Sequence, residues 1–218
     1  MKLQPIITSL LETDLYKFSM GQAIYHQFPS YMTTWTFKCR NKDVFFTPEM
    51  VEEIKEQLKA YCTLRFTEDE LNYLRSIYYL SSDYVDYLKM FQLDREHIKT
   101  GVDEDGQLTI VAEGPWREVI GFEIPCLAIV QELYMQDKEV DLEYADSVIT
   151  DKIIKFKQAN MKYPFKLSDF GLRRRYSSTW HEHVVTRFAK ECPEFFVGTS
   201  NVKLEQKLGI KPIGTFAH

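Results

Sequence analysis

The sequence predicts an α/β protein in which two styles of chain follow one another. Up to about residue 138, strand and helix signals appear without regular alternation, and from residue 141 they alternate strictly. Strict alternation is typical of parallel βαβ units, because parallel neighbours need a crossover that a helix usually supplies. The 218 residues suffice for one large domain or two modest ones. We therefore expect a mixed α/β domain over 1–138 and a parallel α/β unit over 139–218.

Local signals place the elements of the first part. Aromatic and β-branched residues predict a strand over 31–38. Pro48 opens a run with helical apolar spacing, and the capping box of Thr67 and Glu70 precedes another. Further predictions are a short helix over 84–91, a strand between the Asp105-Gly106 turn and a break at Gly114-Pro115, and a buried helix over 124–135.

The second part predicts a common rim for three strand ends. A long helix over 141–161 precedes a strand in KLSDFG, a helix over 177–190, a strand in EFFVGTS, a short helix in NVKLEQKLG and a strand-like KPIGTFAH. The residues just past the carboxyl ends of parallel strands share one face, where ligands bind. The loops SDFGLRRR, GTSN and GTFAH are therefore expected to converge.

Bulk properties exclude some functions. The formal charge of −5 and the pI of about 5.6 disfavour a general nucleic-acid binder, which needs a basic face. No secretory signal and no apolar run of roughly 18 residues is seen, so we expect a cytoplasmic protein without a membrane segment. The cysteines lack a CxxC pair, and we expect buried, inert thiols at Cys39, Cys62, Cys126 and Cys192.

Two strand ends carry groups that suit anions. Arg173, Arg174 and Arg175 follow the Phe170-Gly171 turn, and guanidinium forks match carboxylates and phosphates. Adjacent side chains diverge, so one or two of the three are expected to touch ligand; simple solvation is the alternative. The segment Gly198-Thr199-Ser200-Asn201 lies at a predicted helix start, whose N–H groups can bind an anion. The alternative is that Ser200 or Thr199 is an ordinary N-cap, and both can be true.

Histidines supply the remaining candidates. His218, at the third strand end, can act as base, metal ligand or nucleophile, or can be an unremarkable residue or the stub of a tag. His181 and His183 are two residues apart and point to divergent helix faces, whereas a shared metal needs a spacing of about four. We expect these two to be surface histidines and assign no metal site.

Five segments in order resemble one family. LETDLYKFSMGQAIYHQFP, EGPWREVIGFEIPCLAIVQELY, SDFGLRRRYS, GTSNVKLEQKLGI and PIGTFAH are similar to segments of nicotinate phosphoribosyltransferases. The resemblance implies a type II phosphoribosyltransferase: a mixed α/β N-terminal domain beside an irregular TIM-like α/β barrel, assembled as a homodimer. It also implies a reaction of nicotinate, phosphoribosyl pyrophosphate and ATP to nicotinate mononucleotide, pyrophosphate, ADP and phosphate, with Mg²⁺.

The same resemblance implies roles for individual residues. His218 would be transiently phosphorylated by ATP. Tyr16 would approach the neighbouring subunit's site and line the nicotinate pocket, to which Phe170 would add an aromatic wall. Arg173 would bind an anionic group with help from Arg174.

The resemblance further places Thr199 and Ser200 near the base, where relatives that use nicotinamide carry an acidic residue. Hydroxyls without a nearby acid would favour nicotinate, since a carboxylate would repel it.

The chain departs from the family pattern by ending at His218, after about three barrel strands. A closed barrel needs several more, so we expect the 218-residue piece to be inactive alone and to expose unpaired strand edges. A related enzyme that uses nicotinamide, or a non-catalytic truncated product, are the alternatives.

Overall fold

A computed structural model describes residues 3–41, 43–136 and 138–214. Its first part contains strands and helices in irregular order, as expected. The elements are α1 (Tyr16–Gln27), β1 (Met32–Lys38), α2 (Pro48–Tyr61), α3 (Glu68–Ser76), α4 (Ser82–Met90), β2 (Ile98–Val102), β3 (Leu108–Pro115), α5 (Trp116–Val119) and α6 (Glu123–Gln136). Helices α1 and α5 and strand β2 have no counterpart among the elements predicted from the sequence.

Helix starts in this part follow the predicted caps. The Thr47 side chain accepts a hydrogen bond from Met50 N at the start of α2. At α3, Thr67 and Glu70 form both hydrogen bonds of the capping box. These interactions satisfy backbone donors that have no partner inside the helix, so the predicted helix starts are confirmed.

One antiparallel sheet organises the first part, with strand order β1-β3-β2. The predicted break at Gly114-Pro115 is confirmed, because β3 ends at Pro115, opposite Met32, and α5 begins at Trp116. A proline is tolerated at this last strand position, where its missing N–H interrupts no further pairing. The next residue resumes the contact, since Trp116 N donates to Tyr31 O over 2.8 Å.

The second part alternates helices and parallel strands. Its elements are α7 (Leu142–Lys162), β4 (Leu167–Asp169), α8 (Ser178–Glu191), β5 (Phe196–Thr199) and α9 (Val202–Leu208). Strands β4 and β5 pair in parallel, as predicted. A parallel bridge joins Thr199 to Pro212 and marks the direction of the third strand-like segment, whose end at 215–218 lies outside the described residues.

Two apolar clusters hold these parts together. The larger joins the N-terminal segment, α2 to α6 and the sheet, and it includes Val202 from α9. The smaller joins α7 and α8 to β5, around Ile153, Val185 and Phe195. Because Val202 packs in the larger cluster, the two parts share a core; the division at 138 and 139 stays a prediction.

The thiols match the expectation of burial at three of the four positions. Cys62, Cys126 and Cys192 are buried and unpaired, whereas Cys39 is half-buried. Burial raises the pKa of the Cys126 thiol well above its usual value, which keeps the sulfur protonated and unreactive. No helix within the described ranges is long and apolar enough to cross a membrane.

Candidate active site

The carboxyl ends of β4 and β5 lie side by side. Asp169 pairs with Thr199 in the parallel register, and Ser200 N donates to Asp169 O over 3.0 Å. The predicted convergence of the arginine-bearing and hydroxyl-bearing loops is therefore confirmed. The third loop follows the bridge at Pro212, and His218 itself lies outside the described residues.

The arginine run sends its three side chains to different places. Arg175 is buried and pairs with Glu12 (2.8 Å) and Glu132. Arg174 is exposed, and Arg173 is half-buried. The cause is the 3₁₀ turn at Leu172–Arg174, in which successive side chains point about 120° apart. Arg173 and Arg174 thus remain available to a ligand, and Arg175 does not.

Arg173 has only loose partners. Its Nε lies 3.6 Å from Asp14 Oδ2, and its Nη1 lies 3.6 Å from Glu123 Oε1. These separations exceed hydrogen-bond distance, and the buried Nε has no hydrogen-bond acceptor among the described residues. Lys17 makes the closer contact to Glu123, at 2.5 Å, so Arg173 retains donors for an incoming anion.

Arg173 and Arg174 line a cavity of about 560 Å³ together with Lys38 and Arg40. We call this cavity the basic cleft. Its described lining contains no carboxylate; the other residues are Phe37, Cys39, Asn41, Val44, Phe46, Leu127, Val130, Gln131 and Tyr134. The sequence analysis missed Lys38 and Arg40, which follow β1 far from the arginine run. The only signal for them was the basic pattern KCR at the end of that strand.

The hydroxyls of the GTSN loop are engaged inside the protein. Thr199 and Ser200 are 0% and 1% exposed. Thr199 Oγ1 donates to Asp169 Oδ2 over 2.5 Å, and Ser200 Oγ donates to Asp14 Oδ1 over 2.6 Å. Two acids therefore lie beside these hydroxyls, so the assumption of hydroxyls without a nearby acid is wrong. The role of the two residues near a base stays a prediction.

At the start of α9, three backbone N–H groups already have acceptors inside the protein. Asn201 N donates to Thr199 Oγ1, Val202 N to Thr13 O, and Lys203 N to Leu11 O. These three groups are not available to an anion, so an anion site here stays a prediction; the N-cap residue is Asn201 rather than Thr199 or Ser200. The partner is the buried N-terminal segment 7–15, whose backbone pairs with this loop.

This pairing brings the start of α1 to the site. Leu15 N donates to Ser200 O over 3.0 Å, which places Tyr16 directly beyond the hydroxyl-bearing loop. Tyr16 is half-buried and lines a cavity with Gly214, just before the predicted histidine loop. Burial and the charge of Glu123 raise the Tyr16 pKa to about 12, so its hydroxyl stays protonated. Phe170 is half-buried in the loop after β4.

His181 is not a surface residue as expected. Its side chain is 5% exposed, and its Nε2 lies 2.8 Å from Asp169 Oδ2. The carboxylate at the end of β4 attracts the imidazole into the space between α8 and the strand. His183 does lie at the surface, 2.6 Å from Asp146. The described residues contain no group of three or more potential metal ligands.

Comparison with known proteins agrees with this arrangement. Residues 11–131 match the nicotinate phosphoribosyltransferase N-terminal domain, and residues 165–218 match the nicotinate phosphoribosyltransferase family. A nicotinate phosphoribosyltransferase of Acinetobacter baylyi is 46% identical over 227 residues, covering 100% of this chain and 56% of the relative. One of Neisseria gonorrhoeae is 45% identical, covering 98% of this chain and 55% of the relative.

Solved structures show the same fold. The crystal structure of nicotinate phosphoribosyltransferase from Porphyromonas gingivalis aligns with a TM-score of 0.90 at 34% identity, over 98% of this chain and 54% of that one. The Vibrio cholerae structure aligns with a TM-score of 0.89 at 29% identity, over 98% and 52%. The chain spans about half the length of the relatives it matches. Because the N-terminal domain match alone covers more than half of the chain, the chain belongs to the nicotinate phosphoribosyltransferase family.

Proposed function

We propose that the chain supplies the N-terminal part of an enzyme that joins nicotinate to phosphoribosyl pyrophosphate, coupled to ATP hydrolysis. The products are nicotinate mononucleotide, pyrophosphate, ADP and phosphate, and the reaction serves NAD biosynthesis. Family membership supports the class of reaction. The basic cleft supports the class of substrate, since it offers cations without a carboxylate in its described lining.

The chemistry of the reaction fits such a cleft. Departure of pyrophosphate from the anomeric carbon builds negative charge on the leaving oxygens and positive charge on the sugar. Guanidinium groups fixed at the leaving oxygens stabilise that charge, and their planar forks bind phosphate through paired hydrogen bonds. Arg173, Arg174, Lys38 and Arg40 are the groups that we propose for this task.

We propose that the base binds between the aromatic side chain of Phe170 and that of Tyr16 from the neighbouring subunit. Arg173, with its loose partners at 3.6 Å, would attract the carboxylate of nicotinate. Thr199 and Ser200 would act indirectly, because their hydroxyls hold Asp169 and Asp14 in place. An arginine favours a carboxylate over a neutral amide, so the proposal selects nicotinate over nicotinamide.

The remaining parts of the proposal rest on the family. ATP is the co-substrate, and His218 is its phosphoryl acceptor; a homodimer in the cytoplasm is the proposed assembly. The described residues contain no group of three or more potential metal ligands, and Mg²⁺ usually needs only one or two carboxylates besides substrate phosphates. Mg²⁺ would therefore enter with the diphosphate groups of its substrates, the form in which proteins usually bind it.

The test uses the protein translated from the reading frame that contains this chain. Formation of nicotinate mononucleotide from nicotinate, phosphoribosyl pyrophosphate and ATP is expected, and nicotinamide should compete weakly. The proposal would be overturned if the enzyme used nicotinamide but not nicotinate, or if it used neither of the two bases. The 218-residue chain assayed separately is expected to show no turnover, since it spans about half of its relatives.

A pair of variants tests the basic cleft. Arg40→Gln should raise the KM for phosphoribosyl pyrophosphate about tenfold, the effect of losing one charged hydrogen bond. Lys89→Gln is the matched control, because Lys89 is an exposed lysine of α4 that pairs with Glu68 at 3.2 Å. Equal KM values for the two variants would show that the basic cleft is not part of the phosphoribosyl pyrophosphate site.

A further inference from the structure

We propose that His181 is a positioning residue for the loop 170–175, which we call the arginine loop, and that it acts through Asp169. This inference deepens the proposed function and rests on it. His181 lies on α8, a helix that supplies no group to the basic cleft in the described residues. Its link to the cleft is the contact between its Nε2 and Asp169 Oδ2, at 2.8 Å.

Asp169 connects the arginine loop to the neighbouring strand end. Its Oδ1 accepts a hydrogen bond from Gly171 N over 3.0 Å, which fixes the first turn of the arginine loop. Its Oδ2 accepts from Thr199 Oγ1 over 2.5 Å, and its backbone oxygen accepts from Ser200 N. Asp169, which is half-buried, thus holds the arginine loop, β5 and α8 in register.

The carboxylate needs His181 to keep this arrangement. Burial acts to raise the Asp169 pKa, but the hydrogen bonds from His181 and Thr199 outweigh it, and the net pKa is lowered. An ionised carboxylate accepts all of these bonds at once, whereas a protonated one loses an acceptor site. Without the imidazole donor, Asp169 would keep its burial and lose its best partner, so its side chain would reorient.

Gly171 packs closely against the Asp169–His181 pair. A Cβ added at Gly171 would lie 2.8 Å from Asp169 Oδ1 and 3.3 Å from His181 Nε2. The glycine is therefore required by the Asp169–His181 contact, and the contact fixes where the chain turns toward Arg173. The other ring nitrogen of His181, Nδ1, is buried and has no hydrogen-bond partner among the described residues. Asp169 is thus the described polar group that orients the ring.

The experiment compares substitutions at two histidines of the same helix. His181→Phe keeps a ring and removes the donor, whereas His181→Gln keeps an N–H donor. His183→Gln is the matched control, because His183 is exposed and contacts Asp146 instead. In the protein from the reading frame, His181→Phe should raise the KM for phosphoribosyl pyrophosphate about tenfold while kcat changes less than threefold. His181→Gln should restore most of the loss, and His183→Gln should match the wild type.

A second measurement separates this inference from the proposed function. Calorimetric binding of inorganic pyrophosphate needs no turnover, and His181→Phe should weaken it about tenfold. If wild-type turnover is absent but this weakening is seen, the proposed reaction fails and the positioning role stands. Equal pyrophosphate affinity of His181→Phe and wild type, or no binding by either, would overturn the positioning role.

A structural role alone predicts a different outcome. It would lower the urea midpoint of His181→Phe but leave the KM and affinity of the folded protein unchanged. If His181→Phe does not fold, Gly171→Ala replaces it, since the added methyl group presses on the same pair. That variant should also raise the KM for phosphoribosyl pyrophosphate, and an unchanged KM would contradict the inference.

Discussion

The two ends of the arginine run lie in opposite environments, although one residue separates them. Arg175 is 4% exposed in a buried ion cluster with Glu12, Glu132 and, through Glu12, Lys203. Arg173 borders the basic cleft and has carboxylates only at 3.6 Å. The same side chain thus stabilises the fold at one position and remains available to a ligand at the other.

The difference follows from how each charge is matched. In the buried cluster, Arg175 and Lys203 outweigh the effect of burial on Glu12, so its pKa is lowered. At Glu132, which pairs with Arg175 alone in the described part of the chain, burial outweighs the arginine and the pKa is raised. In the basic cleft the cations outnumber the acids nearby, which leaves a positive surface for an anion. Fully matched charges inside a protein resist change, whereas a surplus of one sign along a cavity is typical of ligand sites.

The largest expected effect is on the buried cluster. Arg175→Met should lower the free energy of unfolding by about 3–5 kcal/mol, because it leaves Glu132 without its cation and Glu12 with Lys203 alone. Urea unfolding monitored by circular dichroism measures this loss. Arg174→Gln, in the same run but exposed, should stay within about 0.5 kcal/mol of wild type. Equal losses of unfolding free energy in the two variants would show that Arg175 and Arg174 do not differ in their contribution to stability.

A buried carboxyl with no cation partner among the described residues sharpens the comparison. Glu205 is 0% exposed and accepts hydrogen bonds from Ile213 N and, at 3.4 Å, from the Tyr73 hydroxyl. Burial raises its pKa to about 8, from a usual value of 4.5. Between pH 4.5 and about 8, the Glu205 carboxyl is therefore protonated in the folded state and ionised in the unfolded state. This contribution to stability is complete below pH 4.5 and is lost as the pH rises through 8.

The corresponding variant is Glu205→Gln, which keeps the shape and removes the titration. From pH 5 to pH 9 the wild type should lose about 4 kcal/mol of unfolding free energy more than the variant. Urea midpoints at the two pH values give this difference. Parallel pH profiles would indicate that Glu205 is ionised in the folded protein, like Glu12.

The smallest effect on stability is expected at the basic cleft. Arg173→Gln should change the free energy of unfolding by less than about 1 kcal/mol, because its partners are distant and it is partly solvated. If the proposed function holds, the same variant should raise the KM for phosphoribosyl pyrophosphate or nicotinate about tenfold. Steady-state kinetics beside urea unfolding checks both. A stability loss as large as that of Arg175→Met would contradict the comparison.

Sequence reasoning was most successful where the cause of structure is local. The capping box of Thr67 and Glu70, the proline start of α2 and the strand at 31–38 depend on neighbouring residues, and the structure contains all three. The adjacency of the β4 and β5 ends was also predictable, because parallel pairing follows from strand and helix alternation. Helix α1 was missed because its apolar residues lack a clear one-sided period.

The fate of individual polar groups depended on distant parts of the chain. His181 was expected at the surface, but Asp169 holds it inside. Thr199 and Ser200 were expected to face a ligand, but the N-terminal segment and β4 occupy their hydroxyls. The spacing of residues along the chain does not predict a contact with a carboxylate that is distant in the sequence.

By itself, the sequence determined the family, the α/β class and the order of most elements, because these follow from local periodicity, caps and ordered motifs. Only the tertiary structure decided which arginine is buried, which cations share the basic cleft, and which hydroxyls and histidine are taken by Asp14 and Asp169. The physical reason is that the state of a charged or polar group depends on its partners and its burial. Both are set by contacts between residues far apart in the chain.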